Sequence, residues 1–290
     1  MLVTWLLDPF SADFMLRALG GGLLVAAICA VVGTWVVIRG MAFLGEAMAH
    51  GMLPGVAVAG LLGLPVIAGA AASAVVMSAG VGLVARRGRL SNDTSIGLLF
   101  VGMLALGVII VSHSRSFATD LTAILFGDIL AIGHTDLVTL AVALAATIAI
   151  AALFHRPFVA LAFDPRVAAT MRLRPRFAGL ALVALVTLAV VASYGAVGSL
   201  LVVGLLLAPS VAAGRWATRI PGIMLLAAGF GAAAVVGGLL ASWHFATAAG
   251  ASIAAVAIGL AAVSTVIRSL VSSLAPRTPS TRKVPRASPA

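Results

Sequence analysis

Glu46 and His50 stand four residues apart inside an apolar run, Phe43-Leu-Gly-Glu-Ala-Met-Ala-His-Gly-Met-Leu53. Four residues is little more than one helical turn, so the two side chains share one face of any helix that contains them. A carboxylate and a neutral imidazole are both good ligands for zinc or manganese. If the helix opens near Ala42, Glu46 lies about 6 Å and His50 about 12 Å along its axis, which puts His50 near the middle of a bilayer. A two-fold dimer would bring two of each group to one axis, the four ligands a tetrahedral site requires. A second reading of the pair stays open, in which Glu46 reaches back to the membrane surface and His50 bonds a backbone carbonyl.

The elements that must position this pair are membrane helices. Hydrophobic residues make up 62% of the 290 and charged residues 9%, with a mean hydropathy of +1.22; a soluble domain carries about a quarter charged residues. Residues 18–38 and 177–214 contain no charge, 47–85 have His50 as their one ionisable side chain, and 220–267 have only His244. A crossing takes roughly 20 apolar residues, so the three longer blocks each hold two crossings. Their turns are expected at Gly63-Leu64-Pro65, at Ser193-Tyr194-Gly195 and near His244. Single crossings are expected at 14–38, 95–112 and 136–154. The fold class is therefore an all-α polytopic membrane protein with about nine transmembrane helices, eight also being compatible. Asp8 and Asp13 precede the first apolar run where a cleavable signal would carry basic residues, so that run is read as a retained helix. The single cysteine, Cys29, excludes an intrachain disulfide and a cysteine-rich metal cluster.

The net charge of +10 would suit nucleic acid, but its distribution suits a membrane instead. With the first crossing running outside to inside, Arg39, the Arg86-Arg87-Arg89 cluster, Arg156, the arginines of 166–176, Arg215, Arg219, Arg268 and the basic tail all become cytoplasmic. Only Arg17 and Arg115 fall outside. This is the positive-inside bias, with the N-terminus out and the C-terminus in. A possible outer metal entry then collects His113, Asp120, Asp128, His134, Asp136 and His244, groups that would draw in a divalent cation or simply mark loop ends. Residues 119–133 show apolar positions at helical period opposite Asp120 and Asp128; too short to span, the stretch reads as a re-entrant or interfacial helix.

The longest cytoplasmic loop, 155–176, contains Phe163-Asp164-Pro165 followed by Arg166, Arg172 and Arg174. Asp164 is a good N-cap and Pro165 a good first helical residue, so a short helix begins there, either as a partner surface or as an ordinary connection. Residues 1–13 form an extracytoplasmic N-terminus, 14–267 the transmembrane domain, and 268–290 a basic, aperiodic tail that reads as a disordered cytoplasmic extension. No phosphate-binding glycine loop with its lysine, no Gly-x-Ser-x-Gly elbow and no His-Glu-x-x-His pair occurs, so the chain is expected to be neither an ATPase nor an intramembrane enzyme. Two further function classes fit the bare residues: an ion-gradient-driven secondary transporter, in which intramembrane acids and histidines relay protons, and a scaffold without transport.

The stretch Arg39-Gly-Met-Ala-Phe-Leu-Gly-Glu-Ala-Met-Ala-His50, continuing through Leu53-Pro54-Gly55, resembles the signature of the membrane subunits of zinc and manganese importers of the ATP-binding-cassette class. Asp93-Thr94-Ser95-Ile96-Gly97, Leu125-Phe126-Gly127, Phe163-Asp164-Pro165 and Leu206-Leu207-Ala208-Pro209 follow in family order, from about residue 14 to 267. The resemblance implies a type II importer-like bundle in the bacterial plasma (inner) membrane, acting as a homodimer. It implies two cytoplasmic ATP-binding subunits that spend the ATP, and an extracytoplasmic binding protein that delivers Zn2+ or Mn2+, zinc being expected ahead of manganese. Glu46 and His50 would line the metal path, and the helix opened by Asp164-Pro165 would couple to the ATPase. No cofactor would be bound by this chain, and no nucleic acid. The family more often has Asp at the position of Glu46 and commonly Glu at that of Asn92. The basic Arg172, Arg174 and Arg176 suggest an acidic docking patch on the partner.

Overall fold

The computed structural model describes residues 8–86, 92–112, 127–163 and 175–274, and all the regular structure among them is helical. The helices are α1 (Asp13–Ile38), α2 (Ala42–Gly51), α3 (Leu53–Leu62), α4 (Val66–Arg86), α5 (Asn92–Ser112), α6 (His134–Leu153), α7 (His155–Phe163), α8 (Pro175–Gly214), α9 (Ile220–Phe245) and α10 (Ala249–Leu274), with short 3-10 turns at Asp8–Ser11 and Ile129–Ala131. The last helix continues past the boundary at 267 expected from hydropathy.

The core is apolar, as in a soluble protein, but so is the outer surface. Leu62, Val75, Leu98, Val138, Val142 and Leu225 face outward, while Thr34, Ser73, Thr147 and Ser193 are buried. Helices satisfy their own backbone in hydrocarbon and can leave apolar side chains to lipid. Eight helical stretches among the described residues are long and apolar enough to cross a membrane.

Small residues set how closely these helices approach. α1 runs through the centre, where a Cβ on Gly33 would fall 1.9 Å from the Leu206 carbonyl oxygen and one on Gly22 would meet Val235 at 2.6 Å. α3 and α4 form a hairpin through Gly63, whose φ of +66 gives the left-handed residue the turn at Gly63-Leu64-Pro65 demands. Within that hairpin Gly55 and Gly69 meet backbone to backbone, a Cβ on either lying 2.0 or 2.2 Å from the other's carbonyl oxygen.

α8, the longest helix, is two legs. Gly198, with φ +73 and ψ 168, is not helical, and the neighbours on either side of it show a reversal. On the first leg Thr187 hydrogen-bonds Ser78 at 2.9 Å and Gly195 approaches Ile67, so the chain climbs towards the Gly63 turn. On the second leg Val202 accepts from Cys29 and Leu206 sits against both Gly33 and Gly45, so it descends towards Gly40. Counted by legs, the described helices make nine passes between the two ends of the bundle. The reversal occurs at Gly198, whereas Ser193-Tyr194-Gly195, the turn expected from sequence, is helical. The turn after His244 is found at Ala246, which takes φ +52.

The two ends of the bundle differ in charge. Arg39, Arg156, Arg215, Arg219 and Arg268 lie at the Gly40 end, where Arg268 stacks 5.4 Å over the Trp216 ring. Asp8, Asp13, Asp128, His134, Asp136 and His244 lie at the other, where Phe14 meets Trp243 and Arg17 donates to the Ile132 carbonyl.

Of the stretch 119–133, residues 127–133 are described. They hold one 3-10 turn in place of a continuous α-helix, with Ile129 and Ile132 buried and Asp128 exposed. Gly127, at φ +64, is pressed against the Val197–Gly198 backbone, so this segment braces the elbow of α8.

Candidate metal path

α2 and α3 form one crossing that is broken in the middle. Pro54 has no N–H to offer the carbonyl of His50 four residues earlier, so the regular helix cannot run through. The His50 carbonyl accepts instead from the Met52 N–H, and the Gly51 carbonyl accepts from the Ser73 hydroxyl of α4 at 2.9 Å. The break falls at Met52, two residues after His50, and both halves pack on α5. α3 is clamped on α4 through Gly55 and Gly69, while α2 packs on the second leg of α8 through Gly45 and Leu206.

Glu46 and His50 point from α2 into one cleft of about 390 Å³. Its opposite wall is the second leg of α8, with Leu200, Val203, Leu207 and Val211, and α10, with Ala254 and Ile258. In the single chain Glu46 is exposed and His50 half-buried. The other side of the imidazole is fixed: Phe100 of α5 meets it edge-on at 5.9 Å, and Phe43 meets Phe100 at 5.8 Å. A three-ring ladder thus aims His50 at the cleft. Two donors against an otherwise apolar wall can hold or pass a cation, but among the described residues no group of three His, Cys, Asp or Glu side chains is close enough to chelate one.

The other expected site residues separate. Asp136 accepts a hydrogen bond from the Gly133 N–H at 3.0 Å and so caps α6. Asp128 and His134 are exposed nearby, and His244 lies in the last turn of α9. Phe163 ends α7 with its ring 86% exposed. His113, Asp120, Asp164, Pro165, Arg166, Arg172 and Arg174 lie outside the described residues.

Sequence reasoning passed over Phe100, Ser73 and the far wall of the cleft. Phe100 is an aromatic residue in a crossing otherwise built of aliphatic and small side chains, which is a weak signal. Ser73 gives none, because a lone serine in an alanine-rich helix looks like packing.

A family profile described as "ABC 3 transport family" matches residues 11–268. The chain is 36% identical over 254 residues to the "Manganese transport system membrane protein MntC" of Halalkalibacterium halodurans, covering 87% of each chain. It is 32% identical over 252 residues to the "Chelated iron transport system membrane protein YfeD" of Yersinia pestis, covering 86% of this chain and 84% of that one. The structure of "PsaBC from Streptococcus pneumoniae in complex with Fab" superposes with a TM-score of 0.80 at 31% identity, covering 91% of this chain and 95% of that one. With the nine-leg bundle and the Glu46–His50 cleft, these likenesses place the chain in the ABC 3 transport family, as a non-catalytic, multi-pass membrane permease subunit of the ABC metal importers.

Proposed function

We propose that this chain carries manganese across a bacterial plasma membrane, as one of two identical permease subunits driven by two cytoplasmic ATP-binding subunits and loaded by an extracytoplasmic binding protein. The observation that carries the reading is the placing of Glu46 and His50 together on one cleft, on the inner half of a broken crossing. The cation enters from the end rich in carboxylates and imidazoles and leaves at the arginine-rich end, which the positive-inside bias assigns to the cytoplasm. This orientation puts the N-terminus out and the C-terminus in. ATP chemistry belongs to the partner subunits, and the permease supplies the path and the surface of loop 155–176 on which they act.

Manganese now stands ahead of zinc. A carboxylate and an imidazole suit both metals, and the similar proteins are named for manganese and for iron. A second copy would contribute another Glu46 and His50, enough donors for a transient site. The outer face would serve as an electrostatic antechamber, with Asp136 occupied as a helix cap.

The test is uptake of radioactive manganese, with zinc and iron as competitors, in cells that depend on this complex. Glu46→Ala and His50→Ala should each abolish accumulation while the purified complex retains its subunits. Wild-type uptake by both variants would remove the path from this cleft. Uptake that survives ATP depletion and stops with a proton ionophore would favour a gradient-driven carrier instead.

A further inference from the structure

α7 is nine residues long, and the last carbonyls of a helix have no partner inside it. One of them, that of Leu161, accepts a hydrogen bond from Nη1 of Arg39, a residue 122 positions away at the C-terminal cap of α1. A guanidinium at a helix C-terminus meets the negative end of the macrodipole, and its hydrogen bond is charge-assisted. Burial pulls the Arg39 pKa down from its ordinary value by desolvation, so the group gains from a strong acceptor.

The same end of α1 grips α7 a second time. Trp35, fully buried one turn before Arg39, meets Phe158 edge-on at 5.3 Å and His155 at 5.6 Å. Phe158 and Leu161 form the buried face of α7. The short helix is thus fastened near its start by rings and near its end by a cation.

On its other side Arg39 leads into α2 with little slack. Gly40 turns the chain at φ +64, and the turn is closed by backbone bonds from Arg39 to Trp35, Gly40 to Val37 and Met41 to Val36, at 3.0, 3.1 and 2.9 Å. α2 begins at Ala42, and Glu46 follows on its second turn.

Building on the ATP-driven reading, we propose that Arg39 is a positioning residue that latches α7, which opens the loop 155–176 facing the ATPase, to the helix carrying Glu46 and His50. Displacement of α7 is then delivered to the metal path through the Arg39 hydrogen bond, beside the Trp35 ring contacts, and one tight turn. The guanidinium never touches the metal.

The experiment uses the full complex in liposomes, with permease, ATP-binding subunits and manganese-loaded binding protein, and reads manganese moved per ATP hydrolysed. Arg39→Ala should leave subunit composition and ATP hydrolysis in place while the ratio falls about tenfold, within the usual range of coupling between linked sites. Arg39→Lys, which keeps a cation and a donor for the Leu161 carbonyl, should recover most of the ratio. If the alanine variant fails to assemble, Arg39→Met, which keeps the aliphatic stem without the donors, takes its place with the same expectation. A wild-type ratio in the donor-free variant, or a lysine variant as defective as it, overturns the latch. A wild-type complex that moves no manganese with ATP overturns the importer reading itself, and the latch falls with it.

Discussion

Three glycines allow conformational strain to be separated from steric overlap at the elbow of α8. Gly63 and Gly127 have almost the same backbone, with φ of +66 and +64, and an L-residue in that region costs about 1–2 kcal/mol. At Gly63 an added Cβ meets nothing within 4 Å, so Gly63→Ala should cost only that. At Gly127 the Cβ would lie 2.3 Å from the Val197 carbonyl carbon and 2.4 Å from the Gly198 nitrogen. These are backbone atoms that cannot rotate aside, so overpacking adds about 1–3 kcal/mol and the total for Gly127→Ala becomes about 2–5 kcal/mol. Gly55→Ala isolates the steric part, because Gly55 lies within α3 and its Cβ would meet the Gly69 carbonyl oxygen at 2.0 Å.

The chain supplies its own reporter for the assay. Cys29 is its one cysteine and is fully buried, so a thiol-reactive dye signals unfolding of the purified permease on heating. The melting midpoint should fall least for Gly63→Ala and most for Gly127→Ala. Gly127→Ala should also cut metal uptake, because the elbow sets the leg that walls the cleft. Equal midpoints for the Gly63 and Gly127 variants would refute the bracing of the elbow by Gly127.

Two further outcomes follow from the site. Phe100→Leu removes the ring that orients His50 and should raise the metal concentration for half-maximal uptake several-fold, a loss of about 1 kcal/mol typical of an aromatic pair, while Phe100→Tyr restores it; equal uptake curves would show that the imidazole needs no such support. Asp164→Lys should weaken recovery of the ATP-binding subunit in a pull-down, and normal recovery would count against coupling through loop 155–176.

The crossings were legible because lipid admits only helices and closed barrels, and an unbroken apolar run of about 20 residues marks the helix. The tight turn at Gly63 was legible because a left-handed residue at a helix end favours glycine, whereas the one near His244 was marked only by that lone ionisable side chain, its left-handed residue being Ala246. The turn in α8 was misplaced by a few residues: Ser193-Tyr194-Gly195 carries better turn chemistry than Val197-Gly198-Ser199, but tertiary contact with Gly127 fixes the reversal at Gly198. The Glu46–His50 pair was visible through its cost in a membrane. Its surroundings were not, because Leu200, Val211 and Ile258 reach the cleft through the packing of distant helices and have nothing in their own sequence to mark them. Arg39 was visible as a basic residue at a helix end and as the first residue of the family-like stretch, but its acceptor, a backbone carbonyl, has no sequence signature.

Nine legs are an odd number, and this constrains any attempt to join two copies into one polypeptide. The first described helix begins at the carboxylate-rich end of the bundle and the last finishes at the arginine-rich end, so a direct head-to-tail fusion would thread the second copy upside down. Two parallel copies can be made from one gene only if the linker itself crosses the membrane. Separate chains meeting side by side avoid the difficulty altogether.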